Sequence, residues 1–102
     1  MYVIGKGEVY IMRPMRIISQ NGKINCPFDS LIVTINYNYN KEVIAYNTII
    51  SDEGYFHLAE YNNNEMAMAA MDMLRDDYAD NAYEFQFPTN ERMLKLMEYD
   101  NE

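Results

Sequence analysis

The sequence predicts an α+β domain: an antiparallel β-meander of five or six strands packed against one main α-helix, with a short C-terminal helix. Up to residue 61, short β-rich runs alternate with turn residues, and strands joined by short turns pair antiparallel because parallel pairing needs long crossovers. Beyond residue 64, apolar residues instead recur at helical spacing. The chain has 102 residues, which is the length of one domain, so we expect a single domain over 1–102.

The β-rich part begins with a run at 8–12 and continues as the meander proper over 15–61. Asn21-Gly22 is a strong tight-turn dipeptide, because both residues tolerate a positive φ. In the run 31–37, alternation places Leu31, Val33, Ile35 and Tyr37 on one face. The predicted strands are 8–12, 15–19, 23–25, 31–37, 42–50 and 55–61.

The main helix is predicted over 65–80. The run Asn62-Asn63-Asn64 suits an N-cap, because an Asn side chain accepts hydrogen bonds from the free N–H groups of a first helical turn. Within it, Asn62 has capping-box spacing with Glu65. Arg75, on the polar face, can pair with Asp72 or Asp76. The apolar stripe that should face the core consists of Met66, Ala69, Ala70, Met73 and Leu74, widened by Met68 and Met71.

The last segment, 83–99, is predicted as a strand followed by a short helix. Residues 83–87 alternate, and Pro88 ends the strand because it cannot donate to a sheet. Thr89 or Asn90 can then cap the helix. Its apolar side carries Met93, Leu96 and Met97.

Charge is distributed unevenly along the chain. The net charge is −8, with +2 in residues 1–50 and −10 in residues 51–102. A protein that binds nucleic acid by neutralising phosphates is basic, so we expect no direct nucleic-acid binding.

The single Cys26 excludes an internal disulfide and is typical of a reducing compartment. No apolar run approaches roughly 18 residues, and no signal-peptide pattern is present, so we expect a cytoplasmic protein without membrane association.

Few residues suggest catalysis or ligand binding. His57 is the one histidine, which excludes a two-His metal site, and it lies within a predicted strand, where a structural role is the simpler interpretation. No serine lies in a nucleophile-elbow pattern, and Gly5-Lys6-Gly7 lacks the rest of a phosphate loop. The sequence therefore predicts no catalytic, cofactor-binding or metal-binding residue, and we expect a protein that is not an enzyme.

Acidic and tyrosine residues are the more informative set. Asp76 and Asp80 share a helix face and lie near a helix C-terminus, where negative charge is unfavourable; this placement suggests a cationic partner, although a solvated helix end is the alternative. Ten tyrosines cannot all be buried, and exposed Tyr beside acidic and Asn residues is typical of binding surfaces; half-buried Tyr on a thin sheet is the alternative. The predicted partner-binding residues are Asp72, Asp76, Asp77, Asp80, Glu84, Tyr78 and Tyr83.

Four separated segments carry a family resemblance: MRIISQNGK from Met15, PFD at 27–29, AEYNNNEMAMAAMDML at 59–74 and FQFPTNE at 85–91. Together they resemble a family of small phage and prophage proteins of Gram-positive bacteria. The resemblance implies a β-meander on one helix and the cytoplasm of a bacterial host cell, but no functional residue. Such proteins usually begin at the equivalent of Met15, so residues 1–14 are interpreted as an extra edge strand, an upstream-start extension or a partner-binding addition.

These observations favour a non-enzymatic interaction protein of a phage or mobile element. The sharpest hypothesis is an anti-CRISPR-like inhibitor of a host defence nuclease, which would occupy a basic nucleic-acid-binding surface by imitating phosphate charge. One alternative is a structural or virion-assembly module that forms homo-oligomers through an exposed sheet edge or through 1–14; a homodimer is left open. The other is a small-molecule binder with an apolar pocket lined by tyrosines and His57.

Overall fold

Seven strands precede the first α-helix in the computed structural model, which describes residues 2–4, 8–10, 15–47 and 54–100. A single 3₁₀ turn (Phe28–Ser30) precedes the fifth strand. The elements are β1 (Tyr2–Ile4), β2 (Glu8–Tyr10), β3 (Arg16–Ile18), β4 (Asn25–Pro27), β5 (Leu31–Ile35), β6 (Glu42–Asn47), β7 (Phe56–Glu60), α1 (Asn64–Ala79), β8 (Glu84–Gln86) and α2 (Asn90–Asp100).

Two three-stranded sheets and two helices confirm the predicted α+β class. One sheet has the order β4-β3-β8 and the other the order β5-β6-β7, while β1 and β2 pair with each other as a separate antiparallel hairpin. All pairs are antiparallel except β3–β8, in which Ile17 lies opposite Phe85. The long connection that parallel pairing requires is available here, because most of the chain, including α1, separates β3 from β8.

The first turn follows the prediction, but β4 begins later than the predicted run 23–25. Gly22 has a φ of +77°, and its N–H donates to Ser19 O at 2.9 Å. The side chains of the turn hold the next residues: Ile24 N–H donates to Ser19 Oγ (3.0 Å) and Lys23 N–H donates to Asn21 Oδ1 (3.0 Å). Residues 23 and 24 therefore belong to the turn.

The hairpin β5–β6 lies within the predicted runs 31–37 and 42–50. β5 ends two residues early because the Asn36 side chain forms an Asx turn, in which its Oδ1 accepts from Asn38 N–H at 3.0 Å. The third strand of this sheet, β7, lies within the predicted run 55–61. Residues 48–50, which were predicted as strand, residues 51–53 of the predicted turn, and residues 11–14 lie outside the described residues.

Both helices are capped by residues within the predicted capping runs. Asn63 caps α1, because its side chain accepts from Met66 N–H at 2.9 Å, whereas the capping-box spacing had favoured Asn62. Asn62 N–H instead donates to Asn90 Oδ1 at 2.8 Å. For α2, the Thr89 hydroxyl accepts from the N–H three residues on, so Thr89 is the capping residue.

The core lies where α1 and α2 pack against the inner faces of the sheets. Ile17, Val43, Ala67 and Ala70 are completely buried, and burial of one large apolar side chain contributes about 1.5–3 kcal/mol. Met68 does not widen the helical stripe as predicted: its side chain is 54% exposed, because a residue two positions from Met66 points to the other side of a helix. The short helix contributes buried Met93, with Leu96 and Met97 packed against the core.

Neither α1 nor α2, the α-helices of the described ranges, is both long enough and apolar enough to cross a bilayer.

Candidate functional site

A Schellman motif closes the C-terminal end of α1. Ala82 N–H donates to Asp77 O at 3.0 Å and Asn81 N–H donates to Tyr78 O at 3.1 Å, while Asn81 has a φ of 59°. Asn is the residue that replaces Gly most readily at this left-handed position. The motif turns the chain back into β8, so Glu84 and Asp77 line the same cavity.

Four of the predicted contact carboxylates surround this helix end. Asp77 is half-buried, and Asp76, Asp80 and Glu84 are exposed. None of the four forms an ion pair or a side-chain hydrogen bond with another described residue, and the last turn of α1 contains no basic residue. The charges of Asp76, Asp77 and Asp80 therefore add to the negative end of the helix dipole, with no described cation in ion-pair contact. We name this region, with its two tyrosines, the acidic surface: Asp76, Asp77, Asp80, Glu84, Tyr78 and Tyr83.

Asp72 lies one helical turn before Asp76 and has its own counter-ion. Its Oδ1 accepts a hydrogen bond from Arg75 Nη2 at 2.9 Å, as the spacing predicted. Both side chains are largely exposed, so the pair contributes little to stability. Because Arg75 already balances its charge, Asp72 is not part of the acidic surface.

The two tyrosines of the acidic surface are both exposed, but they are held differently. The ring of Tyr78 makes an edge-to-face contact with Phe28, with 5.3 Å between centroids, and remains 60% exposed. Tyr83 is 81% exposed, while its backbone carbonyl accepts from Arg16 N–H at 2.9 Å and so fixes its position beside β3. Both rings thus stand on rigid backbone with a hydroxyl and an aromatic face in water.

A half-open cavity of about 360 Å³ lies beside the acidic surface, between α1, β8 and the start of α2. Asp77 and Glu84 line it together with Arg92, and its apolar part is formed by Phe85 and Met73. Within the described residues, Arg92 makes no ion pair with either carboxylate. The lining contains neither a tyrosine nor His57, the residues that the small-molecule hypothesis named.

A second polar cluster joins β6 to β7. The Glu42 side chain is buried, with its Oε2 at 2.6 Å from His57 Nδ1 and its Oε1 accepting from Asn36 Nδ2 at 2.9 Å. The carboxylate therefore orients the imidazole, whose side chain is 65% exposed. His57 also packs against Tyr55, which in turn contacts Tyr46.

Reasoning from the sequence assigned His57 a structural role but did not identify Glu42 as its partner. The two residues are fifteen apart, and only the pairing of β6 with β7 brings them together. A carboxylate that orients a histidine is half of the arrangement used in nucleophilic catalysis. No serine, threonine or cysteine is hydrogen-bonded to His57 in the described part of the chain, so the pair is assigned no reaction.

Two further observations concern metal and thiol chemistry. The described residues include no group of three or more His, Cys, Asp or Glu side chains that could hold a metal ion. Burial raises the pKa of the Cys26 thiol, an effect that nearby Arg16 partly offsets. A thiol that stays protonated is a weak nucleophile.

Comparison with known proteins gives no match: no protein-family model, no curated protein and no solved structure is significantly similar to this chain. The resemblance to phage and prophage proteins therefore stays a prediction.

Proposed function

We propose that this is a non-enzymatic binding protein whose acidic surface occupies a basic, nucleic-acid-binding surface of a host protein. A bacterial defence nuclease inhibited in this way, as by an anti-CRISPR protein, is the sharpest form of the proposal, and the phage-like sequence segments agree with it. The observation that carries it is a set of four carboxylates, at the end of α1 and the start of β8, that form no ion pair with any described residue.

Uncompensated charge at this position favours an external cation. Asp76 and Asp80 lie at the negative end of the α1 dipole, and each would be relieved of repulsion by a Lys or Arg of a partner. Carboxylates on one small surface also attract a basic protein over a distance of about one Debye length, roughly 8 Å at physiological ionic strength. Such attraction accelerates association and weakens as salt rises.

The exposed tyrosines supply the contact area that charge alone does not. Tyr78 and Tyr83 adjoin Asp77 and Glu84 in the chain and lie on hydrogen-bonded backbone, so little conformational entropy is lost when their rings are covered. Tyr also stacks on Arg side chains through cation–π contacts, and Arg is common where proteins hold phosphates. An acidic surface with two such rings therefore matches a protein groove that binds nucleic acid better than carboxylates alone would.

The experiment is affinity capture in a Gram-positive bacterial host with tagged wild-type protein and the variant D76K/D80K. The matched control is E65K/E98K, which changes the net charge equally at two exposed carboxylates outside the acidic surface. We expect a nucleic-acid-binding protein to be captured by wild type and by the control but lost with D76K/D80K. DNA or RNA added to the complex should displace the protein, and nuclease activity of the captured partner should fall in its presence.

Equal capture of that partner by all three proteins, or capture that is insensitive to both salt and added nucleic acid, would contradict the proposal. Circular dichroism of the variants establishes that each is folded, so that lost capture reports on binding alone. Replacement of Tyr83 by Ala tests the aromatic contribution separately, with about a tenfold weaker complex expected.

A further inference from the structure

The β5 edge of the sheet β5-β6-β7 is open within the described residues. One side of β5 pairs with β6, and no described strand pairs with the other side. The hairpin bond from Asn36 N–H to Glu42 O (2.9 Å) identifies residues 36 and 42 as a hydrogen-bonded pair. Because bonded and non-bonded pairs alternate in antiparallel strands, Thr34 and Ile32 bond to β6, and Val33 and Ile35 direct their N–H and C=O groups away from the sheet.

The opposite edge of the same sheet is closed. Gln20 N–H donates to Leu58 O at 2.7 Å, and Gln20 Oε1 accepts from Glu60 N–H at 3.1 Å. β7 also carries a bulge, since the register shifts between Val43 and Ile44. A further strand can therefore be added to this sheet at β5 but not at β7.

The β5 edge lacks the features by which proteins protect open edges. It contains no Lys, no Pro and no inward-pointing charge, and its ladder with β6 is regular over all five residues. Residues 30–40 include no charged side chain, in a chain whose net charge is −8. Two copies of this acidic protein can therefore approach each other along β5 without bringing like charges into contact.

We propose that the protein forms a twofold homodimer by antiparallel pairing of β5 with β5 of a second copy. Pairing about Thr34 places Val33 opposite the partner's Ile35 and Ile35 opposite the partner's Val33. These are the residues whose N–H and C=O groups point away from β6; the Ile35 carbonyl already accepts from the Thr34 hydroxyl at 3.3 Å but keeps a second lone pair. The two pairs can therefore form four N–H···O bonds. The other strand register, which places Ile35 opposite the partner's Leu31, is less favourable because Leu31 N–H already donates to Phe28 O.

The dimer closes at two copies because β7 is blocked, and it joins two three-stranded sheets into one of six strands. Thr34 then faces its own symmetry mate at the axis, as a Thr–Thr cross-strand pair of a type common in sheets. Ile32, which is 57% exposed, lies on the same face beside the axis. The acidic surface is not involved, so this inference is independent of the proposed function.

The test exploits the symmetry at Thr34. Analytical ultracentrifugation of wild type should give a dimer, and T34K and T34E, which place like charges opposite each other, should each weaken it about tenfold or more. An equimolar mixture of T34K and T34E should form the heterodimer, which native mass spectrometry resolves from the homodimers. The matched controls are T34S and D76K/D80K, which should dimerise like wild type.

Hydrogen exchange provides a second readout that needs no substitution. The amides of Val33 and Ile35 should exchange more slowly as protein concentration rises, while those of Ile32 and Thr34, already bonded to β6, should not change. A monomeric wild type, dimerisation that T34K leaves intact, a T34K and T34E mixture that stays monomeric, or exchange at Val33 that is independent of concentration would each overturn the proposal.

Discussion

Gln20 joins the two three-stranded sheets through Leu58. Leu58 is the bulged residue of β7, lying between the pairs Ile44–His57 and Val43–Ala59. A bulge leaves a residue out of the ladder, and the carbonyl of Leu58 accepts from Gln20 N–H at 2.7 Å. The Gln20 side chain makes two more bonds, accepting from Glu60 N–H and donating to Pro88 O, both at 3.1 Å. One residue thus connects both sheets and the segment before α2.

We expect Gln20→Ala to lower the free energy of unfolding by about 1–2 kcal/mol. It removes two side-chain hydrogen bonds and leaves Glu60 N–H without its partner. Gln86→Ala is the matched control, because Gln86 makes a single long bond of 3.4 Å to Ser19 O from an exposed position, and it should change stability by less than about 0.5 kcal/mol. Urea denaturation of the two variants measures the difference; equal effects would mean that Gln20 does not hold the sheets together.

Local signals in the sequence predicted most elements of the fold but not their arrangement in sheets. The Asn21-Gly22 turn and the strand beginning at residue 31 depend on neighbouring residues, and both were found. The alternation of 31–37 held only in part, because β5 ends at Ile35 and Tyr37 is 97% exposed. The division into two sheets depends on Ile17 lying opposite Phe85, a contact between residues far apart in the chain that no local pattern contains. The choice of capping residue has a similar origin: three consecutive asparagines are chemically equivalent, and the contact of Asn62 with Asn90 decides between them.

For the candidate site, helical spacing placed Asp76 and Asp80 correctly on one face. The return of Glu84 to the same region was not predictable in detail, because it depends on the left-handed conformation of Asn81. Glu42 was missed since its role needs the pairing of two strands. The sequence offers one signal for Glu42: it begins an otherwise apolar strand, EVIA at 42–45. A charged residue in such a strand indicates a buried carboxylate with a polar partner.

Replacement of Glu42 by Ala should destabilise the protein by about 2 kcal/mol, because Asn36 and His57 both lose a charged hydrogen-bond acceptor. His57→Ala should lower the unfolding free energy by less, since His57 is the exposed partner and water can take its place. A double-mutant cycle over the two residues, measured by chemical denaturation, should give a coupling energy of about 1 kcal/mol. Strictly additive effects would show that the 2.6 Å contact contributes nothing.

Asn81 adopts a left-handed conformation that an Ala side chain disfavours. Asn81→Ala should therefore lower the unfolding free energy by about 1 kcal/mol, and Asn81→Gly should raise it or leave it unchanged. The pair of variants forms its own control, because both remove the same amide side chain and differ in backbone preference alone. Thermal denaturation distinguishes them; equal losses would point to the side chain of Asn81 rather than to its φ of 59°.

The hydroxyl of Tyr61 is buried without a hydrogen-bond partner among the described residues. Leaving such a group unpaired costs about 1–3 kcal/mol, so Tyr61→Phe, which keeps the ring, should stabilise the protein by about 1 kcal/mol. The control is Tyr83→Phe, since Tyr83 is 81% exposed and its hydroxyl is free to bond with water. A destabilised Tyr61→Phe variant would reveal a partner for this hydroxyl.

Tyr61 should also make the fold sensitive to alkaline pH. Burial raises the pKa of its hydroxyl above the ordinary value of 10.0. Above that pH the unfolded chain releases a proton that the folded protein keeps, so the unfolding free energy falls by up to about 1.4 kcal/mol per pH unit, whereas at lower pH this group has no effect. Urea denaturation at increasing pH should show this fall in wild type and in Tyr83→Phe, and a smaller one in Tyr61→Phe. An unchanged slope in Tyr61→Phe would assign the alkaline loss to other groups.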